Sequence, residues 1–164
     1  MKKLGIVSAN LIGTATTGAW KAQQHEILNN NGVLPVRIDK LMMGAGYYHD
    51  ASAVVMVGVI IHLTDTNGNS FLDTFDGGAG DATSDLNTLM EKWKDYIWAT
   101  DFRPCAVGST IVNNVDMDMA TKRILEPGQK LLASLVWMSG SATGSNYLRY
   151  LLDYNLWHQQ AAPQ

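Results

Sequence analysis

From Asn146 to His158 the chain alternates with a period of two. Leu148, Tyr150, Leu152, Tyr154 and Leu156 fall on one side; Arg149, Asp153 and Asn155 fall on the other. A strand places every second side chain on the same face, so this segment reads as a strand with one face in a core. A helix would group 148, 152 and 156 but rotate 150 and 154 away.

Most of the remaining chain repeats that grammar. Residues 1–17 read as an N-terminal arm or first strand. Ala19 to Leu28 is a strand closed by the turn signal Asn29-Asn30-Asn31-Gly32. Val33 to Met43 follows, with Pro35 near its start and Gly44-Ala45-Gly46 as its expected end. Ala53 to Leu63 is apolar on both faces, the pattern of a strand covered on both sides. At 11 residues it is far short of the roughly 20 needed to cross a membrane as a helix. Asn67-Gly68 precedes Phe71 to Phe75 and predicts a hairpin. Cys105 to Asn113, Val115 to Leu125 with a bulge, and Lys130 to Met138 complete the strands. Leu86, Leu89, Met90, Trp93 and Ile97 alone fall at helical spacing, predicting one helix over about residues 84–98.

Eight or nine strands with no strand–helix–strand alternation exclude a parallel α/β fold. The expectation is a mainly β, antiparallel β-sandwich: a single jelly roll of about eight strands with one inserted helix. It occupies 1–164 as one domain, with 159–164 as a short tail. Hydrophobic residues make up 46% of the 164 and charged residues 16%, against roughly 25% in soluble domains. So little charge implies a surface covered by something, and copies of the chain are the simplest cover. The net charge of −3 does not mark a basic nucleic-acid binder. A lone Cys105 forbids an internal disulfide and reads as a small buried hydrophobe.

The candidate sites are few. Asp65, Asn67, Asn69, Asp73 and Asp76 place oxygen donors as in a calcium loop, but glycine stands fourth where that motif has it sixth. A hairpin turn is the competing reading. His25, His49, His62 and His158 show no metal-ligand spacing, and no nucleophile elbow or phosphate loop is present. The reading is therefore not an enzyme, with no cofactor. Lys2, Lys3, Lys122, Arg123 and Lys130 are the candidates for a nucleic-acid or interface patch, the last three lying across a predicted hairpin. Trp157 shares its face with Arg149, Asp153 and Asn155, and is the candidate exposed aromatic for an interface or a sugar ring.

Arg123-Ile124-Leu125-Glu126-Pro127-Gly128-Gln129-Lys130-Leu131 resembles the turn before the penultimate strand in the single jelly-roll coat proteins of small icosahedral viruses. The mid-chain helix, the Gly/Ser loop at 139–145 and the final strand fit the same layout. The resemblance implies a capsid subunit that self-assembles into a shell. Its partners would be copies of itself and other virion proteins, and its location the virion, after synthesis in host cytoplasm. Such coats usually begin with a basic arm; here only Lys2 and Lys3 are basic among the first 20 residues, which implies weak or indirect genome contact. A carbohydrate-binding sandwich and a phage tail or fibre module are the alternative readings.

Overall fold

A computed structural model describes residues 1–11, 19–49, 55–70, 73, 83–105, 113–119, 123–139 and 144–156. Nine strands and one helix lie within them: β1 (Lys2–Leu11), β2 (Ala19–Asn29), β3 (Val36–His49), β4 (Val55–Leu63), α1 (Thr83–Lys92), β5 (Ile97–Cys105), β6 (Asn113–Met119), β7 (Arg123–Leu125), β8 (Lys130–Ser139) and β9 (Gly144–Leu156).

They form two antiparallel sheets. One has the order β1-β9-β3-β6, with β7 beside β6 on the same edge of β3; the other is β2-β8-β4-β5. If β6 and β7 count as one interrupted strand, the pairing is nested. The first strand pairs the last, β2 pairs β8, β3 pairs β6 and β7, and β4 pairs β5. A long hairpin rolled up on itself gives this order, and it is the jelly roll expected from the sequence.

The interior follows from the two-residue period. Ile38, Leu41, Leu148 and Leu152 of one sheet meet Val59, Ile61, Leu131 and Leu135 of the other, all essentially without solvent contact. β4 is buried on both faces because α1 lies over its outer side. Leu86 there joins Ile60 and Val136, with Leu89, Met90 and Trp93 packed around them. Leu148, Tyr150 and Leu152 are buried as expected. Tyr154 is half-buried, and Leu156 is 48% exposed where the strand ends opposite Val36.

Several expected boundaries shift. The helix ends at Lys92; a single 3-10 turn (Lys94–Tyr96) follows, and Ile97 and Trp98 begin β5, where Ile97 pairs His62. Residues 93–98 thus leave the helix because an edge position beside β4 is open to them. Phe102-Arg103-Pro104 lies within β5, an outer strand, which tolerates a proline. Cys105 belongs to β5 and Asn113 to β6, while residues 106–112, the body of the strand expected from Cys105 to Asn113, lie outside the described residues. Val33 to Pro35 precede β3, which runs unbroken through Gly44-Ala45-Gly46. Gly46 is part of the strand for a steric reason. A Cβ there would lie 1.9 Å from the ring of Tyr147, its partner on β9, so the aromatic covers the glycine.

Candidate functional site

The end of the sandwich carrying the 30–35, 64–70 and 126–129 connections is organised by buried amides and a hydroxyl. Asn30 Nδ2 donates to the carbonyls of Leu34 and Leu125, each at 3.0 Å, while Asn30 Oδ1 accepts from Gly32 N–H at 3.2 Å. Its main chain joins the opposite turn through Asn30 N–H to Gln129 O and Gly128 N–H to Asn30 O. Gln129 Nε2 donates to Thr64 O at 3.0 Å, and Lys130 N–H to Thr64 Oγ1 at 2.9 Å. Asn30, Thr64 and Gln129 are all buried, so these bonds satisfy groups that water does not reach. Sequence reading took Asn30 and Gln129 only as turn residues; their side-chain targets become visible only with tertiary structure.

The first calcium-loop candidate, Asp65, is occupied by donors of its own loop. Asp65 Oδ1 accepts from the N–H groups of Asn67 (2.9 Å) and Asn69 (2.8 Å), and Oδ2 accepts from Asn69 Nδ2 at 3.0 Å. These donors, Asn69 foremost, hold the Asp65 carboxyl below its usual range. Gly68 N–H bonds Asp65 O at 3.0 Å, with Gly68 at φ +84°. The turn is therefore real. The return strand expected at 71–75 is not seen at Asp73, which sits in a turn of its own; Phe71, Leu72, Thr74, Phe75 and Asp76 lie outside the described residues. Asp73 Oδ2 accepts from Ser70 N–H, Ser70 Oγ donates to Gln24 Oε1 at 2.6 Å, and Gln24 Nε2 donates to Asp73 Oδ1 at 3.3 Å. Among the described residues no three His, Cys, Asp or Glu side chains converge as a metal site would need.

Near that latch, on the outer side of the same sheet, His62 Nε2 and Ser134 Oγ share a hydrogen bond of 2.7 Å, with both residues fully buried. Burial pushes the His62 imidazole down to about 4, against smaller opposing effects from the Leu63 backbone and Asp73. The bond joins β4 to β8 on that face, and at neutral pH the buried imidazole is uncharged.

The basic residues do not gather. β7 and β8 belong to different sheets, so Arg123 and Lys130 flank a crossover and not a hairpin. Lys130 Nζ lies 3.4 Å from Glu26. The Arg123 guanidinium lies over the Trp98 ring at 5.2 Å and donates to Trp98 O at 3.5 Å. Lys3 points between the sheets and donates to Ile27 O at 2.5 Å. Lys2 stands opposite Asp153 in the β1–β9 register. Lys122 and Trp157 lie outside the described residues. Lys3 and Arg123 thus each tie one sheet to the border strand of the other, Lys3 on one long side and Arg123 on the opposite one.

The outer face of the β1-β9-β3 sheet carries a feature that no single segment announces. Leu4, Leu151 and Met42 stand directly opposite one another on three adjacent strands. Leu4 is 74% exposed and Met42 39%. On the other sheet, a shallow hollow of about 400 Å³ between α1 and β5 is lined by Asn87, Met90, Glu91, Lys94, Ile97 and Thr100.

No known family matches the sequence, and no curated protein matches it. Among solved structures the chain is similar to one from "Structure of infectious bursal disease virus Gx strain", with 12% identity, 94% of this chain covered and a TM-score of 0.32. The alignment takes in 36% of that protein's chain, so this chain spans just over a third of its length.

Proposed function

We propose that the chain is a structural virion protein, a jelly-roll capsid subunit that assembles with copies of itself into an icosahedral shell. The observation that carries this reading is the complete nested strand order, β1-β9-β3-β6/β7 against β2-β8-β4-β5. Jelly rolls of this kind serve viral capsids, lectins and cupins. A cupin holds its ligand inside the roll, whereas here apolar side chains from both sheets fill that space. A chain with only 16% charged residues and an exposed Leu4–Met42 row suits contact with other subunits. The dispersal of Lys3, Arg123 and Lys130 onto internal partners supports weak or indirect genome contact. Location in the virion, after synthesis in host cytoplasm, belongs to the same reading.

Light scattering and negative-stain electron microscopy of the purified chain test it. Closed particles, or pentamers and hexamers, are expected across a screen of salt and pH. A monomer or a small fixed oligomer under every condition overturns the shell and favours the sugar-binding sandwich.

A further inference from the structure

We propose that Asn31 is a site of spontaneous deamidation in the folded chain, converting to aspartate and isoaspartate through a cyclic imide with Gly32, and that the fold protects the second Asn–Gly pair, Asn67–Gly68. The inference concerns a slow covalent change and stands independently of the shell reading.

The chemistry needs only an asparagine, the next backbone nitrogen and water. The glycine nitrogen, losing its proton, attacks the side-chain carbonyl carbon Cγ. A C–N bond forms and the Cγ–Nδ2 bond breaks, releasing ammonia. Water then opens the imide at either carbonyl. One opening gives aspartate; the other gives isoaspartate, whose main chain runs through its own Cβ and Cγ. Glycine in second place favours the ring closure because it has no side chain to obstruct it. The chain holds two such pairs, both with an exposed asparagine, so sequence and solvent access do not separate them.

Their hydrogen bonds do. Before the nitrogen can reach Cγ, its N–H must leave its acceptor and the backbone must turn about the asparagine. Gly68 N–H donates to Asp65 O at 3.0 Å, and Asp65 N–H donates to Asn69 O at 2.9 Å. The Asp65 carboxylate accepts from the N–H groups of Asn67 and Asn69 and from Asn69 Nδ2. These bonds close around one residue, so Gly68 does not turn onto Asn67 without opening them together. The carboxylate also opposes the attack, which passes through an anionic nitrogen and then an oxyanion. Asp65 is held ionised by Asn69 foremost and also by the main chain and side chain of Asn67, which places a like charge beside both species.

The 30–34 loop has neither restraint. Gly32 N–H donates to Asn30 Oδ1 at 3.2 Å, and no other hydrogen bond among the described residues holds Asn31 or Gly32. The acceptor is a neutral amide. Asn30 can lose this bond and keep the two that its Nδ2 makes to Leu34 O and Leu125 O, so the attack does not require the sandwich to open.

Peptide mapping by mass spectrometry tests this on the folded full chain, sampled over days in warm, mildly alkaline buffer. Asn31 should convert about tenfold or more faster than Asn67, because one hydrogen bond opens at the first pair and several at the second. In enough urea to unfold the chain, the two should convert at similar rates. Asp65→Ala should speed Asn67 and leave Asn31 unchanged, with circular dichroism to confirm that the variant is folded. Gly32→Ala should slow Asn31 alone. Asn67 converting as fast as Asn31 in the folded chain, or Asn31 converting only in urea, overturns the proposal, as does a folded Asp65→Ala chain in which Asn67 is no faster. If that variant does not fold, the wild-type comparison with and without urea decides by itself.

Discussion

The side-chain amide of Asn30 donates to the backbone carbonyl of Leu125, 95 residues further along the chain, at 3.0 Å. The same nitrogen reaches Leu34 O, so a single buried side chain fastens the start of β3 to the end of β7. Asn30→Ala strands two carbonyls and should cost about 2–4 kcal/mol in urea unfolding, the cost of leaving buried polar groups unpaired. Asn30→Asp preserves size and the acceptor for Gly32 but loses the donor, and should be about as damaging.

Leu152 is fully buried and Leu151 lies on the outer face. Leu152→Ala should destabilise by about 2–5 kcal/mol through the cavity it leaves. Leu151→Ala should cost clearly less at concentrations where the chain is monomeric. Tyr150→Ala should resemble Leu152→Ala, because both face the core. A neutral Tyr150→Ala beside a severe Leu152→Ala would contradict the strand.

Gly68 and Gly128 both have φ near +85° but different surroundings. A Cβ at Gly68 meets nothing within 4 Å, whereas one at Gly128 would lie 2.8 Å from Thr66 O, a backbone atom that cannot swing aside. Gly68→Ala should therefore cost about 1 kcal/mol, the price of a left-handed residue. Gly128→Ala should cost clearly more in thermal melts, since it also forces the 64–70 and 126–129 turns apart.

His62 is held near 4 when folded, against 6.5 when free. Below pH 6.5 the unfolded chain takes up a proton that the native state refuses. Stability should thus fall as the pH drops from about 6.5 to about 4, by up to roughly 3 kcal/mol from this group, and then level. Burial lowers His25 as well, in the same sense. Urea midpoints at successive pH values should show a shallower slope for His62→Gln than for the parent chain.

Asp65 has its carboxylate filled by N–H donors. Millimolar calcium should leave the melting temperature unchanged, while Asp65→Ala should lower it. A calcium-dependent rise lost in Asp65→Ala would restore the metal reading.

Much of the fold was legible because a two-residue period is local: β4, β8 and β9 declare themselves wherever one or both faces are buried. Boundaries were less so. The Leu86-to-Ile97 spacing suits a helix through Ile97, yet an open position beside β4 claims the last turns, and sequence cannot weigh that competition. Gly46 reads as a breaker until Tyr147, about 100 residues away, is found over it. The site residues were the least legible. Basic side chains were nominated by charge alone, while their partners, Ile27 O, Trp98 O and Glu26, are all set by tertiary structure. The Leu4–Leu151–Met42 row is invisible in one dimension because each member comes from a different strand.

The nested pairing also dictates an order of loop closure. β4 and β5 meet after a modest excursion, whereas β1 must wait for β9, and the amino group of Met1 reaches Tyr154 O at 2.7 Å across a separation of 153 residues. Each outer pair closes more cheaply once the pair inside it has formed, so the chain should assemble from its middle outward. Pairings this distant in sequence place such a domain among slow folders, in the millisecond-to-second range. During synthesis β1 emerges first and finds its partner last, so for most of that time its hydrogen-bonding edge stands open.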